Sequence, residues 1–520
     1  MKASNLIYSQ SNGFSLDFRQ SGINKDAIRS LDDLLASAHK EMLKIEAGEI
    51  KNPDEQRQVT HFTDRLDYID SEQFNNVESF FADLRAGTIN GSTDKAFESV
   101  IINGIGGSAL GPQFLQFALR GPYWNEASSA ERDANLKIYF TDNTDPAGLT
   151  DILKLIDLET NLMISISKSG GTRETRNNMD SIEAIYKEND LDFAQHAAAV
   201  TMEGSKLDNY AEENDWLKIW PMADSIGGRT SETAIVGHVP AAATGIDFES
   251  LLKGACLMDE WTREENPLNN PAYLLAASWF LLGNGSGEKN MVIVPYSDRL
   301  VLLSKYLQQL VMESLGKEFD LDGKTVYQGL TVFGNKGGTD AHAYIQQLND
   351  GSNDFFITFI EVLENAAAYP LASGLDMGDY LHNFMQGLSN ALHGNERSVI
   401  RLTVEKLSAE SIGLLIALYE RAVAVYAELI NVNAFHQPGV EAYKKISESM
   451  NELCLELQSF ISDNKGFSGN AAAVAEKLNK SAQHIEIDGI LSKFAVNNRS
   501  FGDSSISRSF NDNGWTYIIA

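Results

Sequence analysis

Cysteine is almost missing: two residues, Cys256 and Cys454, stand in a chain of 520. They lie far apart and in no metal-ligand spacing, which excludes a disulfide framework and leaves two reduced thiols. Long hydrophobic runs are also missing. No window reaches the roughly 20 apolar residues that cross a bilayer, and MKASNLIYSQSNGF has no apolar leader core. A cytoplasmic protein without a membrane partner is expected. Positive charge is scarce, with 42 Lys and Arg against 72 Asp and Glu and a formal charge of −30. That balance disfavours nucleic acid and anionic surfaces, so any anionic ligand needs a local positive site. No His, Cys or carboxylate cluster has ligand spacing, so no metal is expected. The apolar supply is ordinary, at 43% of residues, and the length exceeds what one core serves.

Strand-like and helix-like segments alternate for most of the chain. SVIING (99–104), LKIYFTDN, NLMISIS and HAAAVTM read as buried strands, with a helix over 173–188. A second series follows in MVIVPYS (291–297), LTVFGN, DFFITFIEV and VIRLTVE, with a helix expected over SDRLVLLSKYLQQLVMESLGK. The region 405–462 reads as helical, strongest in AESIGLLIALYERAVAVYAELI. The last 50 or so residues suggest a helix and a hairpin. Such alternation implies an α/β protein whose parallel-rich sheets carry helices on both faces and bind ligands beyond the carboxyl ends of the strands. The expected divisions are an N-terminal helical and extended segment (1–50), a first α/β domain (51–245), a second with added helices (246–445), and a C-terminal helical region with a small terminal element (446–520).

Two loops after strands carry the chemistry. SKSGGTRET delivers Ser167, Lys168, Ser169, Gly170, Gly171 and Thr172 to a helix start, where free N–H groups favour an anion. Small hydroxyls add donors without blocking a phosphate. The competing reading is a capping turn with Thr172 or Ser169 as N-cap. In GIGGSALGP (104–112), Gly104, Gly106 and Ala109 satisfy a dinucleotide fingerprint, but the acidic residue it wants about 20 residues on comes considerably too late, near Asp142. Two small-residue loops at adjacent strand ends, with Gly107 and Ser108 in the first, fit one small phosphorylated ligand better.

GIGGSALGP, SKSGGTRET, GGRTS (227–231), MESLGK (312–317), GNKGGTDAHAYIQQL (334–348) and QPGVEAYKK (437–445) together resemble the successive signatures of the phosphoglucose isomerase family, in that family's order. The resemblance implies two sugar isomerase (SIS) domains and a homodimer. It also implies interconversion of glucose 6-phosphate and fructose 6-phosphate without a cofactor, in glycolysis and gluconeogenesis.

Aldose–ketose isomerisation moves a proton between C1 and C2 through a cis-enediolate. It needs a carboxylate base, a cation beside the oxyanion and groups that open the ring. Glu313 is the candidate base, preceded at helical spacing by Leu303, Tyr306 and Leu310. The competing reading pairs it with Lys317 at i+4. By resemblance, Gln309 binds ligand one turn earlier, Arg229 stabilises the enediolate and Gly228 approaches the sugar. An isolated arginine here would instead neutralise Asp224 or Glu232. The resemblance also assigns ring opening to His342, from the partner subunit, and to Lys444, with Gln437 on the phosphate side. Tyr443 stands where the family often has glycine. A non-catalytic sugar-phosphate-binding protein of the same domain type would keep Ser167, Ser169 and Thr172 without needing Glu313, Arg229, His342 and Lys444 together.

Overall fold

The computed structural model describes residues 5–511 and 514–520. They fall into two compact units that meet in sequence between His436 and Gln437. The first unit opens with a hairpin, β1 (Ile7–Ser9) and β2 (Ser15–Asp17). Five strands follow: β3 (Ser99–Asn103), β4 (Lys137–Thr141), β5 (Asn161–Ile166), β6 (Ala197–Thr201) and β7 (Lys218–Pro221). They form one wholly parallel sheet in the order β4-β3-β5-β6-β7. β3, β5 and β6 are buried along their whole length, as unbroken apolar and β-branched runs require when helices cover both faces.

The second series contributes β8 (Asn290–Pro295), a short hairpin of β9 (Lys317–Phe319) and β10 (Thr325–Gln328), then β11 (Val332–Phe333), β12 (Phe355–Val362) and β13 (Ser398–Val404). Its six-stranded sheet runs β1-β2-β13-β12-β8-β11. The strands β13, β12, β8 and β11 are parallel, while β2 lies antiparallel against β13, Leu16 opposite Leu402. The expected N-terminal segment thus supplies the outer two strands at one side of a sheet completed nearly 400 residues later.

A layer of helices includes Phe248–Trp261, Pro271–Leu282 and Ala409–Leu429. The last is buried almost throughout, including Glu420 and Arg421 in its middle. Those charges persist in an apolar layer because they are paired. Arg65 donates to Asp259 Oδ2 at 2.5 Å, to Glu420 Oε2 and to Thr233 Oγ1 at 3.1 Å. Arg421 reaches Glu46 at 2.5 Å and Asp259 at 3.4 Å.

The second unit, Gln437–Ala520, is built on the long helix Pro438–Asp463. The expected boundary at 445 falls inside this helix. Leu453, Leu457, Phe460 and Ile461 from its far half join Val474, Ile487, Leu491, Tyr517 and Ile519 in a separate core. The helices Ala471–Lys477 and His484–Val496 and a four-stranded antiparallel sheet complete it.

Candidate active site

The segment after β8 begins with a tight turn at Asp298–Leu300 and a short α-helix, Leu303–Leu307, then widens into a π-helical turn over Gln308–Glu313. The expected single α-helix is therefore interrupted. Leu303, Tyr306, Leu310 and Val311 anchor it in the core, while Gln309 and Glu313 share its other face, Gln309 Nε2 donating to Glu313 Oε2 at 3.2 Å. π turns inside helices are a recurrent way of placing functional side chains.

Arg229 occupies a tight turn, Gly228–Thr230, and is buried. Its Nε donates to Ser314 Oγ at 2.8 Å, and Nη1 lies 3.8 Å from Glu313 Oε2. Burial lowers its pKa, with Glu313 pulling the other way. Among the described residues its ion pair is with Glu313, not with either of the carboxylates suggested by sequence proximity. Asp224 Oδ1 instead meets Lys168 Nζ at 3.1 Å. Glu232 is fully buried, and among the described residues neither of its carboxyl oxygens finds a partner. Burial, then Glu420, push its pKa well above the ordinary carboxylate value. Lys317 does not pair with the Glu313 carboxylate; its Nζ donates to the backbone carbonyls of Glu313, at 3.1 Å, and Ser314, at 2.6 Å.

The glycine loop locks onto this centre through close approach. A Cβ on Gly107 would fall 1.8 Å from the carbonyl oxygen of Gly228, and one on Gly106, whose φ is +59°, would lie 3.1 Å from Gln309 Nε2. A Cβ on Gly111 would overlap the Glu232 carboxyl. Gly107 serves backbone-to-backbone packing, while Gly106 and Gly111 leave room for the Gln309 amide and the Glu232 carboxyl. Ser108 closes the loop's tight turn, Gly106–Ser108.

Beyond β5, Ser167 is buried and Ser169 is exposed. Gly170, at φ +64°, presses against the backbone of Leu207. Thr172 occupies the N-cap position of the helix Arg173–Glu188, yet its side chain makes no capping bond. Its hydroxyl instead meets Ser167 Oγ at 3.3 Å, and Ser169 Oγ accepts from Gly171 N at 3.2 Å. The hydroxyls and the helix's opening N–H groups are thus arranged as donors around one loop. Lys168 adds a cation, its pKa lowered by burial and by Arg57. Arg57, Lys168, Arg229 and Lys317 provide positive charge in a chain that is acidic overall.

His342 ends a tight turn, Asp340–His342, after β11 and is exposed. Asp340 holds the turn, its Oδ2 accepting from Asn335 N at 3.0 Å and from the Tyr344 hydroxyl. Gln437 and Lys444 belong to the second unit, Lys444 on the exposed first half of the helix Pro438–Asp463. Lys317 as a carbonyl cap and the buried Arg65 cluster escaped the sequence reading. Glu420 and Arg421, adjacent charges inside an apolar helical run, were the signal for the second.

The Phosphoglucose isomerase family model matches residues 17–392 and 388–468. A glucose-6-phosphate isomerase of Gloeothece citriformis is 49% identical over 461 residues, covering 86% of this chain and 85% of its own length. One of Trichormus variabilis is 44% identical over 507 residues, covering 95% and 94%. The crystal structure of a glucose-6-phosphate isomerase from Chlamydia trachomatis superposes with a TM-score of 0.76 at 26% identity, covering 88% of this chain and 90% of that one.

Proposed function

The chain belongs to the phosphoglucose isomerase family, and on that premise we propose that Glu313 is its proton-transfer base. The enzyme interconverts glucose 6-phosphate and fructose 6-phosphate, an aldose–ketose isomerisation, and is not a sugar-phosphate-binding regulator. The observation that carries the residue assignment is the junction of Gln309, Glu313 and Arg229, with a carboxylate 3.8 Å from a buried guanidinium. A base that shuttles a proton between C1 and C2 requires a cation at the oxyanion, and Arg229 supplies one that keeps its charge at working pH. Ser167, Lys168, Ser169 and Thr172, with Gly107 and Ser108, form the phosphate-side cradle. Gly228 lets the backbone approach the sugar, and Gln309 binds it near the base. Lys444 and His342 open the ring, and Gln437 lies on the phosphate side. These last three assignments rest on the motif match. The two sugar isomerase domains are those built on the five-stranded and the six-stranded sheets, and the enzyme works in the cytoplasm in glycolysis and gluconeogenesis.

The working form is a homodimer, each site receiving His342 from the other chain. The large exposed apolar residues Tyr369, Leu371, Leu375, Met377 and Phe384 favour an interface there, and Gly338 of the His342 loop adjoins Leu381 of the helix Met377–Gly394. A coupled assay of fructose 6-phosphate conversion by the purified chain tests the reaction, and absence of turnover would remove it. Mixing inactive His342→Ala and Glu313→Gln chains under subunit exchange tests the sharing. With random pairing about half the dimers are mixed, each with one intact site, so activity should return to about a quarter of wild type. No recovery, with exchange shown by mass labelling, would refute the shared site.

A further inference from the structure

The helix that carries Gln309 and Glu313 must end somewhere, and the last carbonyls of a helix lack partners within it. Here the chain turns at Gly316 into β9, and Lys317, the first residue of that strand, folds back over the end. Lys317 is 5% exposed, and its Nζ donates to Glu313 O at 3.1 Å and Ser314 O at 2.6 Å. The Ser314 hydroxyl meanwhile accepts from Arg229 Nε at 2.8 Å. One buried amine therefore sits where the turn bearing the base meets the loop bearing the cation.

We propose that Lys317 is a positioning residue whose Nζ, by holding the carbonyls of Glu313 and Ser314, fixes the π-helical turn and so sets the Glu313 carboxylate beside Gln309 and Arg229. The proposal rests on the reading of Glu313 as the base. A lysine that only balanced charge would bond a carboxylate, and this one bonds two carbonyls. The charged groups facing it are Glu313 on the π turn, Arg229 on the neighbouring loop, and His436, whose Nδ1 is 2.9 Å from Asp54. Burial, then Arg229, push the Lys317 pKa down to about 7, with Glu313 opposing. Above that pH a neutral amine still has two N–H groups, one for each carbonyl, so the cap persists while the charge beside Glu313 fades.

Lys317→Met, Lys317→Gln and Glu313→Gln should be compared in the purified enzyme. Losing the cap should lower kcat of Lys317→Met by roughly 10–100-fold with KM within about threefold, because displacing a base by a fraction of an ångström harms the chemical step more than binding. Lys317→Gln retains two N–H donors and should regain part of that loss. Two inhibitors provide a readout that general damage would not move. A linear hexitol 6-phosphate, which uses the phosphate cradle, should bind Lys317→Met as it binds wild type. A phosphorylated hydroxamate mimicking the enediolate should bind about tenfold more weakly. The difference between the wild-type and Lys317→Met profiles of log kcat against pH should carry an inflection near 7. If Lys317→Met fails to fold, the ratio of the two inhibitor affinities in Lys317→Gln decides. A kcat like wild type, or equal weakening of both inhibitors, overturns the positioning role. An active Glu313→Gln would instead overturn the reading of Glu313, so the two failures are distinguishable.

Discussion

Arg65 and Arg229 are both buried, 2% and 7% exposed, and they sit in opposite electrostatic settings. Arg65 hydrogen-bonds Asp259 and Glu420 directly. Burial opposes its charge, but those two carboxylates raise its pKa above the ordinary arginine value. Among the described residues, Arg229 hydrogen-bonds the Ser314 hydroxyl and the Ala434 carbonyl, keeps Glu313 at 3.8 Å, and has its pKa lowered by burial. Direct carboxylate pairing holds helices together. It ties Asp64–Ile69, Phe248–Trp261 and Ala409–Leu429, with Arg421 adding Asp32–Glu46. The Glu313 carboxylate is held one step away, as the proposed proton-transfer base would need to be. Burial of charge does not by itself mark an active site; on the proposed assignment, the distance to the counter-charge separates a brace from a tool.

The largest expected effect breaks the tool and spares the brace. Glu313→Gln should lower isomerase activity by at least about 10²–10⁴-fold while thermal unfolding stays within a few degrees of wild type, and turnover near normal would sink the assignment. Next, Arg65→Met should destabilise the first unit by roughly 3–5 kcal/mol, because it strands buried carboxylates; denaturant unfolding would show it. Arg229→Met should instead lose activity with a smaller change in stability, and reversal of the two outcomes would dissolve the comparison. A smaller effect belongs to the phosphate side. Ser167→Ala with Thr172→Ala should raise KM for sugar phosphates about tenfold, more than it lowers kcat, since the phosphate is remote from the reacting carbons. An unchanged KM in steady-state kinetics would discard the cradle.

The smallest effect concerns Glu232. Its pKa is raised in the folded state by burial and Glu420, so the native protein binds more protons than the unfolded chain at pH values above the ordinary carboxylate pKa. Stability contributed by this group is present at low pH and lost as pH rises toward the folded pKa, by at most about 1.4 kcal/mol per pH unit. Glu232→Gln should flatten the fall in Tm as pH rises above the ordinary carboxylate range. An identical slope in calorimetry would mean that the acid is ionised and compensated.

Much of this was legible because the strong signals are local. The runs SVIING, NLMISIS, HAAAVTM, MVIVPYS and DFFITFIEV announced buried strands, and each contains one. The helix over Arg173–Glu188 and the terminal helix and hairpin were equally visible. The π turn was not, since Leu303, Tyr306 and Leu310 suit the ordinary helical period and one extra residue in a turn leaves no mark on it. Nor was the partner of Lys317, because i+4 spacing offers a carboxylate and a carbonyl alike, and only the end of the helix decides between them. Arg65 and Glu420 lie 355 positions apart, and Leu16 meets Leu402 across the second sheet. Pairings of that range are set by the assembled fold and leave no periodicity in either segment.

The last of these pairings carries a consequence for synthesis. The hairpin β1–β2 is made first, but its sheet partner β13 leaves the ribosome only after nearly 400 further residues, roughly 20–80 s later at about 5–20 residues per second. Until then Leu16 and an unpaired strand edge face solvent or whatever shields them, in the state in which edge strands promote aggregation. Closure of the second sheet is therefore a late event in synthesis, and chaperone demand should be set by this one delayed junction more than by the first sheet, whose five strands emerge within a single uninterrupted stretch.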